Sequence, residues 1–255
     1  MSENDSSLLG GHKIAGDLPC LFCQARATSL CSVMSNDDIG CLNEIVTRRQ
    51  IETGNRLFVE GDRAGHYFVV TEGCIMVFKE AHDGRRQITG FLYPGDFLGL
   101  NHMGRFSYTA EAISDTIVCE YPIDKLTRLF RDFPEMEHWM LQHCSNELAS
   151  AHDQMFLLGR KNATEKIATF LWFLLQRIRF RNADATAVNL PMSRRDIADY
   201  LGLTVETVSR TITRMRVAGT IKTVGNEVIE ILNVQDLQAL AGADDTWVPA
   251  TARAA

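Results

Sequence analysis

The stretch from Ser193 to Gly219, SRRDIADYLGLTVETVSRTITRMRVAG, constrains the fold more than any other part of the chain. Ser193 with Asp196 three positions on has the form of a capping box, so a helix opens here with Ile197, Ala198 and Leu201 on its inner face. Gly202 follows where a tight turn between two helices needs a residue free to take positive φ. Thr204 then caps a second helix, and Val208, Ile212 and Met215 recur along it at steps of four and three. Its other face carries Val205, Glu206, Ser209, Arg210, Thr213 and Arg214. These types read a duplex: Arg pairs bidentately with guanine, Glu accepts from the cytosine amine, and Ser and Thr adapt. Two short strands, Thr220 to Val224 and Glu227 to Ile231, are joined by Gly225-Asn226 at the length hairpins favour, and they predict a wing. A polar helix face alone is usually a solvated face. Cap, glycine turn, inner-face pattern and wing in this order predict a winged helix-turn-helix over 161–245 that binds double-stranded DNA.

Charge agrees only locally. The 255 residues carry a formal net charge of −6, which argues against coating nucleic acid by bulk charge. Between Ser193 and Lys222, six basic residues stand against three acidic ones. The longest strongly apolar run, Ala168 to Leu175, is far short of the ~20 residues a bilayer requires, and the first nineteen residues lack the pattern of a signal peptide. A cytoplasmic protein with no membrane partner is expected. The seven cysteines then call for metal ligation or plain burial, since that compartment keeps thiols reduced. There is no G-x-S-x-G, Walker loop or H-E-x-x-H, and no histidine stands in a catalytic spacing, so an enzyme is not expected.

Upstream, residues 1–34 predict a flexible N-terminus that carries three cysteines. Ser35-Asn-Asp-Asp38 signals a short helix with Ile39, Leu42, Ile45 and Val46 at helical spacing. From Arg56 to about Tyr121, short β-rich runs alternate with turns at Gly61, Gly73, Gly84 and Gly95, predicting an antiparallel β-roll within a sensor domain over 35–130. After Pro134 the pattern is helical. Met140, Cys144, Leu148, Ala151, Met155 and Leu158 form one stripe down a helix spanning 134–160. Such a stripe is either an intrachain core or a coiled-coil seam between two subunits; the seam is the preferred reading, because the roll has few helices to cover it. A second helix is expected from Ala163 to Arg179, a loop at Arg181 to Ala185, and a flexible tail over 246–255. The fold class is α+β: β-roll, long dimerisation helix, winged helix-turn-helix.

Cys20-Leu-Phe-Cys23 followed by Cys31 gives C-x2-C-x7-C, three thiolates able to wrap one soft centre, zinc or iron–sulfur. A fourth ligand must come from elsewhere. Cys119, at the end of a predicted strand, leads, although spacing does not choose it over Cys41, Cys74 or Cys144.

The chain resembles the CRP/FNR superfamily, and within it the oxygen-responsive FNR-type regulators. The resemblance runs from about Cys20 to Gly242. It rests on the cysteine trio, Gly84-x-x-Gln87-Ile-Thr-Gly-Phe91, Pro94-Gly-Asp96, Val118-Cys-Glu-x-Pro122, Lys161-Asn-Ala163 and, most specifically, Leu203-Thr-Val-Glu-Thr-Val-Ser-Arg210. It implies a 4Fe-4S cluster on Cys20, Cys23, Cys31 and Cys119, a parallel homodimer through the long helix, and recognition by Glu206, Ser209 and Arg210. It further implies TTGAT-N4-ATCAA-type inverted repeats, control of anaerobic and microaerobic metabolism, and an RNA polymerase contact at Gly84, Arg85 and Arg86. Arg85 and Arg86 are more basic than that pattern. The gap of seven between Cys23 and Cys31 exceeds the enterobacterial spacing, but in a loop the extra residues cost little closure entropy. The superfamily's other branch binds cyclic AMP, using a glutamate after the glycine and an arginine followed by a hydroxyl. Here Leu100 follows Gly99 and Phe106 follows Arg105, so no cyclic nucleotide is expected. The remaining alternative is a regulator with a structural metal site or another redox input.

Overall fold

The computed structural model describes residues 11–13, 20, 23–225 and 227–243. Residues 244–255 and most of the first nineteen, expected as tails, lie outside the described residues. The chain divides into two compact units, 1–142 and 143–254, and the division falls inside one long helix.

The first unit is built on two antiparallel sheets. One has the order β1-β2-β11-β4-β7, from Gly11–Lys13, Thr47–Ile51, Thr116–Pro122, His66–Glu72 and Phe97–Leu98. The other has the order β3-β10-β5-β6, from Arg56–Phe58, Thr109–Ala112, Ile75–Glu80 and Arg86–Leu92. A small hairpin, β8 (Asn101–His102) and β9 (Arg105–Phe106), follows β7. Side chains alternate across a strand, so β11 serves two cores. Val118 packs with Ile51, Phe58, Phe68, Val70 and Leu98 from both sheets in the roll interior. Cys119 and Tyr121 join a second cluster with Leu30, Leu42, Val69 and Phe97. That cluster is closed by α1 (Ile39–Ile45), by Leu126 of α2 (Ile123–Asp132) and by Met136 and Trp139 of α3 (Pro134–Arg160). The turn into β5 depends on Gly73 at φ 81°, where a Cβ would collide with Asp115 O and Thr116 Oγ1.

Several elements differ from the sequence expectation. Strands β1, β2 and β10 and helix α2 were absent from it, and Gly11–Lys13, taken as tail, pairs antiparallel with Arg49–Ile51. The predicted α1 is present, but its N-cap is Asp38 without a side-chain bond; Ser35 instead closes the preceding turn, accepting from the Asp38 N–H at 3.1 Å.

The second unit contains the rest of α3, then α4 (Ala163–Arg179), opened by Asn162 and Glu165 in a reciprocal capping box. After β12 (Ala187–Asn189) come α5 (Arg194–Leu201) and α6 (Val205–Val217). The wing follows as β13 (Ile221–Val224) and β14 (Val228–Ile231), and α7 (Val234–Ala241) closes the unit. The wing sheet gains a third strand the sequence did not reveal, since β12 pairs with β14. Helix α7, also not anticipated, is capped by Asn233 and ended by Gly242 at φ 59°.

Candidate DNA-reading face and cysteine site

The helix-turn-helix forms as its caps dictate. Ser193 Oγ accepts from Asp196 N–H at 3.2 Å, and the Asp196 carboxylate accepts from Ser193 N–H at 2.9 Å. Gly202 ends α5 in the left-handed conformation, φ 60°. Thr204 Oγ1 accepts from Thr207 N–H at 3.2 Å to start α6. Val208, Ile212 and Met215 are buried, and Val205, Glu206, Ser209, Arg210, Thr213 and Arg214 all lie exposed along the other face. The Glu206 carboxyl is held below the ordinary carboxylate range by its own backbone N–H, then by the Thr204 hydroxyl and by the Arg210 charge. It stays an ionised acceptor.

Two side chains that sequence reasoning missed hold this element. The last carbonyls of a helix lack intrahelical partners. Here Tyr200 O accepts from Gln154 Nε2 of α3 at 2.9 Å, and Leu201 O accepts from the buried Lys166 Nζ of α4 at 3.0 Å. A cation at the C-terminus of α5 is also favoured by the helix dipole. Leu158 of α3 lies against the same turn, 3.3 Å from where a Gly202 Cβ would stand.

The stripe on α3 is therefore not uniform. Met140 packs on the first unit's cysteine-bearing core, Leu158 packs on the turn, and Cys144 is half-buried. Leu148, Ala151 and Met155 are exposed, with Leu148 at 60% and Met155 at 61%. Leu141, not in the expected stripe, is 64% exposed and stands three residues before Cys144 and seven before Leu148. The exposed apolar positions are thus 141, 148, 151 and 155, and with Cys144 and Leu158 they fit an a/d heptad pattern beginning one residue later than Met140.

The cysteine site lies on the outer face of the first sheet. Cys20, Cys31 and Cys119 are buried in one cluster, and Cys23 is half-buried. The loop that brings the trio there is tied by Arg26, which donates to Asn36 Oδ1 at 2.8 Å and Met34 O at 2.9 Å. The Ser29 side chain caps the 3-10 turn Leu30–Val33, and Cys20 N–H donates to Asn43 Oδ1 at 3.3 Å. Burial, then repulsion from Cys31 and Cys23, pushes the Cys20 thiol up to about 11. Cys119 is pushed up to about 12, by burial and then by Cys31, Cys23 and Cys20. Burial also raises Cys31, and Cys31 Sγ lies 3.5 Å from the hydroxyl of the fully buried Tyr121. These four sulfurs are gathered within electrostatic reach of one another. Cys41, Cys74 and Cys144 are not among them: Cys74 is buried beside Ile75 in the roll, and Cys144 is on α3. Among the described residues, no group of three or more His, Cys, Asp or Glu side chains is closed tightly enough for a metal ion.

Gly84, Arg85 and Arg86 form the β5–β6 hairpin tip. Gly84 has φ 80°, Arg85 Nε donates to Asp83 at 2.8 Å, and Arg86 stacks 5.3 Å over Phe78. Among the described residues, no helix is long and apolar enough to cross a membrane.

A β-roll connected through a long helix to a winged helix-turn-helix defines a DNA-binding transcription regulator. The comparisons with known proteins agree. Residues 48–133 match the cyclic nucleotide-binding domain family, and residues 165–240 match the Crp-like helix-turn-helix domain family. The nitrogen fixation regulation protein FixK of Bradyrhizobium diazoefficiens is 38% identical over 88% of this chain and 94% of its own. The transcriptional activator protein Anr of Pseudomonas aeruginosa is 39% identical over 88% of this chain and 92% of its own. The solved structure of FixK2 from Bradyrhizobium japonicum superposes with a TM-score of 0.72 at 36% identity, covering 78% of this chain and 99% of that one. The chain belongs to the CRP/FNR family of transcription regulators, a family of regulators and not of enzymes.

Proposed function

We propose that this chain is an oxygen-responsive transcription regulator, in which Cys20, Cys23, Cys31 and Cys119 hold a 4Fe-4S cluster that favours a DNA-binding homodimer. The observation that carries the reading is the gathering of four cysteine sulfurs, three of them buried, from a loop and a strand 88 positions away from Cys31. Uncompensated, burial and mutual repulsion make the thiolate costly at Cys20, Cys31 and Cys119. A soft cationic centre reverses the cost. Thiolates suit either zinc or an iron–sulfur centre, and the resemblance to the oxygen-responsive FNR-type regulators favours the cluster. When bound, the cluster supplies an oxygen-labile centre; the rest of the switch is made by the chain. The cysteine loop packs in the same core as Met136, Trp139 and Met140 at the start of α3. Ordering that loop biases how α3 begins, and α3 presents the exposed apolar register through Leu148 and Met155. Two recognition helices then reach half-sites one helical turn apart, TTGAT-N4-ATCAA, in cytoplasmic DNA. The exposed hairpin tip at Gly84, Arg85 and Arg86 is the surface offered to RNA polymerase.

Cyclic nucleotide is not the input. Leu100 replaces the acid such a pocket needs, and the exposed Arg105 donates to Gly61 O at 2.6 Å. The second reading, structural zinc with another redox input, is separated by metal analysis and absorption of anaerobically purified protein. The proposal expects a brown iron-containing protein whose visible band bleaches in air together with loss of DNA binding. A colourless zinc protein with air-indifferent binding would overturn the oxygen-sensing half.

The dimer seam has its own test. Ala151 is exposed at a d position, and leucine there buries about 2 kcal/mol more apolar side chain per subunit. Ala151→Leu is expected to lower the apo-dimer dissociation constant by at least tenfold in sedimentation equilibrium. Equal dissociation of both proteins would displace the seam from this face.

A further inference from the structure

We propose that Tyr121 and Arg48 are positioning residues of the cysteine site, the Tyr121 hydroxyl and the Arg48 guanidinium donating to its sulfurs when these are thiolate. The inference rests on the reading of the four cysteines as a metal centre. Neither residue is a ligand, and neither is foreshadowed by the cysteine spacing.

Tyr121 follows Cys119 by two positions on β11, so both point to the same face of the sheet. It is fully buried in an otherwise apolar cluster, where a phenol hydroxyl is costly unless paired. Its hydrogen-bond partner among the described residues is Cys31 Sγ, at 3.5 Å. Phenylalanine would satisfy the packing; the hydroxyl has no role in the core except toward the sulfur. Arg48 approaches from the other side. It lies on β2 directly opposite Cys119 in the antiparallel register, so the two side chains share a face. One terminal nitrogen lies 3.7 Å from Glu72 Oε1, and Nε is buried with no hydrogen-bond partner among the described residues.

With the thiols neutral, both donors have weak acceptors. Once the sulfurs become metal-bound thiolates, the same two groups face anionic acceptors, and charge-assisted bonds are about twice as strong as neutral ones. The site therefore stabilises its ligated state before any ion arrives. Removing partners of this kind commonly lowers metal affinity about 10- to 100-fold.

The test is an anaerobic cobalt(II) titration of the metal-stripped full chain, followed by thiolate-to-cobalt charge-transfer absorption. Tyr121→Phe and Arg48→Gln should each bind cobalt about 10- to 100-fold more weakly than the parent, with Arg48→Lys between Arg48→Gln and the parent. In a Cys31→Ala background, Tyr121→Phe should cost nothing further, because its acceptor is gone; a merely structural tyrosine would weaken both backgrounds alike. Affinities within twofold of the parent, or equal losses in both backgrounds, overturn the inference while leaving the cysteine site standing. If the parent takes up no cobalt, the same variants are compared by the visible chromophore formed on anaerobic reconstitution with iron and sulfide; a parent that forms neither overturns the cysteine site itself, and this inference with it. If Tyr121→Phe fails to fold by circular dichroism, the two Arg48 variants decide the question by the same affinity criterion.

Discussion

Replacing Arg210 with alanine is expected to abolish site-specific DNA binding while leaving the fold unchanged. Arg210 is exposed on α6, and among the described residues its side-chain hydrogen bond is a 3.4 Å donation from Nη2 to Thr207 Oγ1 on the same helix. Nothing in the core depends on it, so far-UV circular dichroism and melting temperature should match the parent. On DNA the same side chain is placed for a bidentate contact to guanine, worth about 1–3 kcal/mol of discrimination. A homodimer loses the contact in both half-sites, about 2–6 kcal/mol, which is from roughly thirtyfold to above ten-thousandfold in affinity ratio. Non-specific binding should persist, because the exposed Arg214 and Lys222 remain available to backbone phosphates. A gel-shift titration against the inverted repeat and a scrambled duplex separates the two terms. Retained preference for the repeat in the alanine variant would move recognition away from this face.

The helix-turn-helix was legible in the sequence because every signal in it is local. Ser193 and Asp196, Gly202 and Thr204 act over one or two turns, and their hydrogen bonds and positive φ are made with near neighbours. Helix α4 was equally plain, starting at its capping box and ending at Arg179. Strands β2 and β10 were not legible. Thr47–Ile51 carries two arginines and a glutamine, and Thr109–Ala112 is alanine and glutamate between threonine and alanine. Neither has strand propensity; each is held between two partner strands, so pairing decides. Helices α2 and α7 were legible in principle, through Ile123-Leu126-Phe130 and through Asn233 ahead of Val234-Leu237-Ala241. They were hidden behind stronger signals at Pro134 and the wing. The cysteine site shows the limit most clearly. The trio is a sequence motif, but only the β11–β4 and β11–β2 pairings bring Cys119 to it, and only strand alternation puts Tyr121 beside both. The apolar stripe on α3 was legible except at its start: Met140 is apolar and in step, yet it packs on the first unit's core and leaves Leu141 exposed.

If the proposed iron–sulfur centre is held by the four cysteines, Cys119→Ala is expected to remove it, and with it the air-sensitive part of DNA binding, while barely affecting the metal-free fold. Cys119 is buried in the middle of a five-stranded sheet, between β2 and β4, where alanine keeps the backbone pairing and loses one sulfur from the core. A single such truncation costs about 1 kcal/mol, so the apo melting temperature should shift by a few degrees only. The metal-bound protein loses a quarter of its ligand set, and the visible band and dimer should disappear from anaerobic preparations. The pH dependence of the apo chain offers an independent check. The thiol pKa of Cys119 is raised in the folded state to about 12, from an ordinary 9.0, so folding favours the protonated form. That stabilisation is complete below pH 9 and is lost as pH rises towards 12. Cys20, raised to about 11, adds to the same loss. Denaturant midpoints of the apo parent should therefore fall through this window. Those of apo Cys119→Ala should fall less, because one of the titrating thiols is gone. An alanine variant that keeps the air-bleached band would remove Cys119 from the ligand set. One whose apo stability falls with pH as steeply as the parent's would show that its thiol does not share a buried site with the trio.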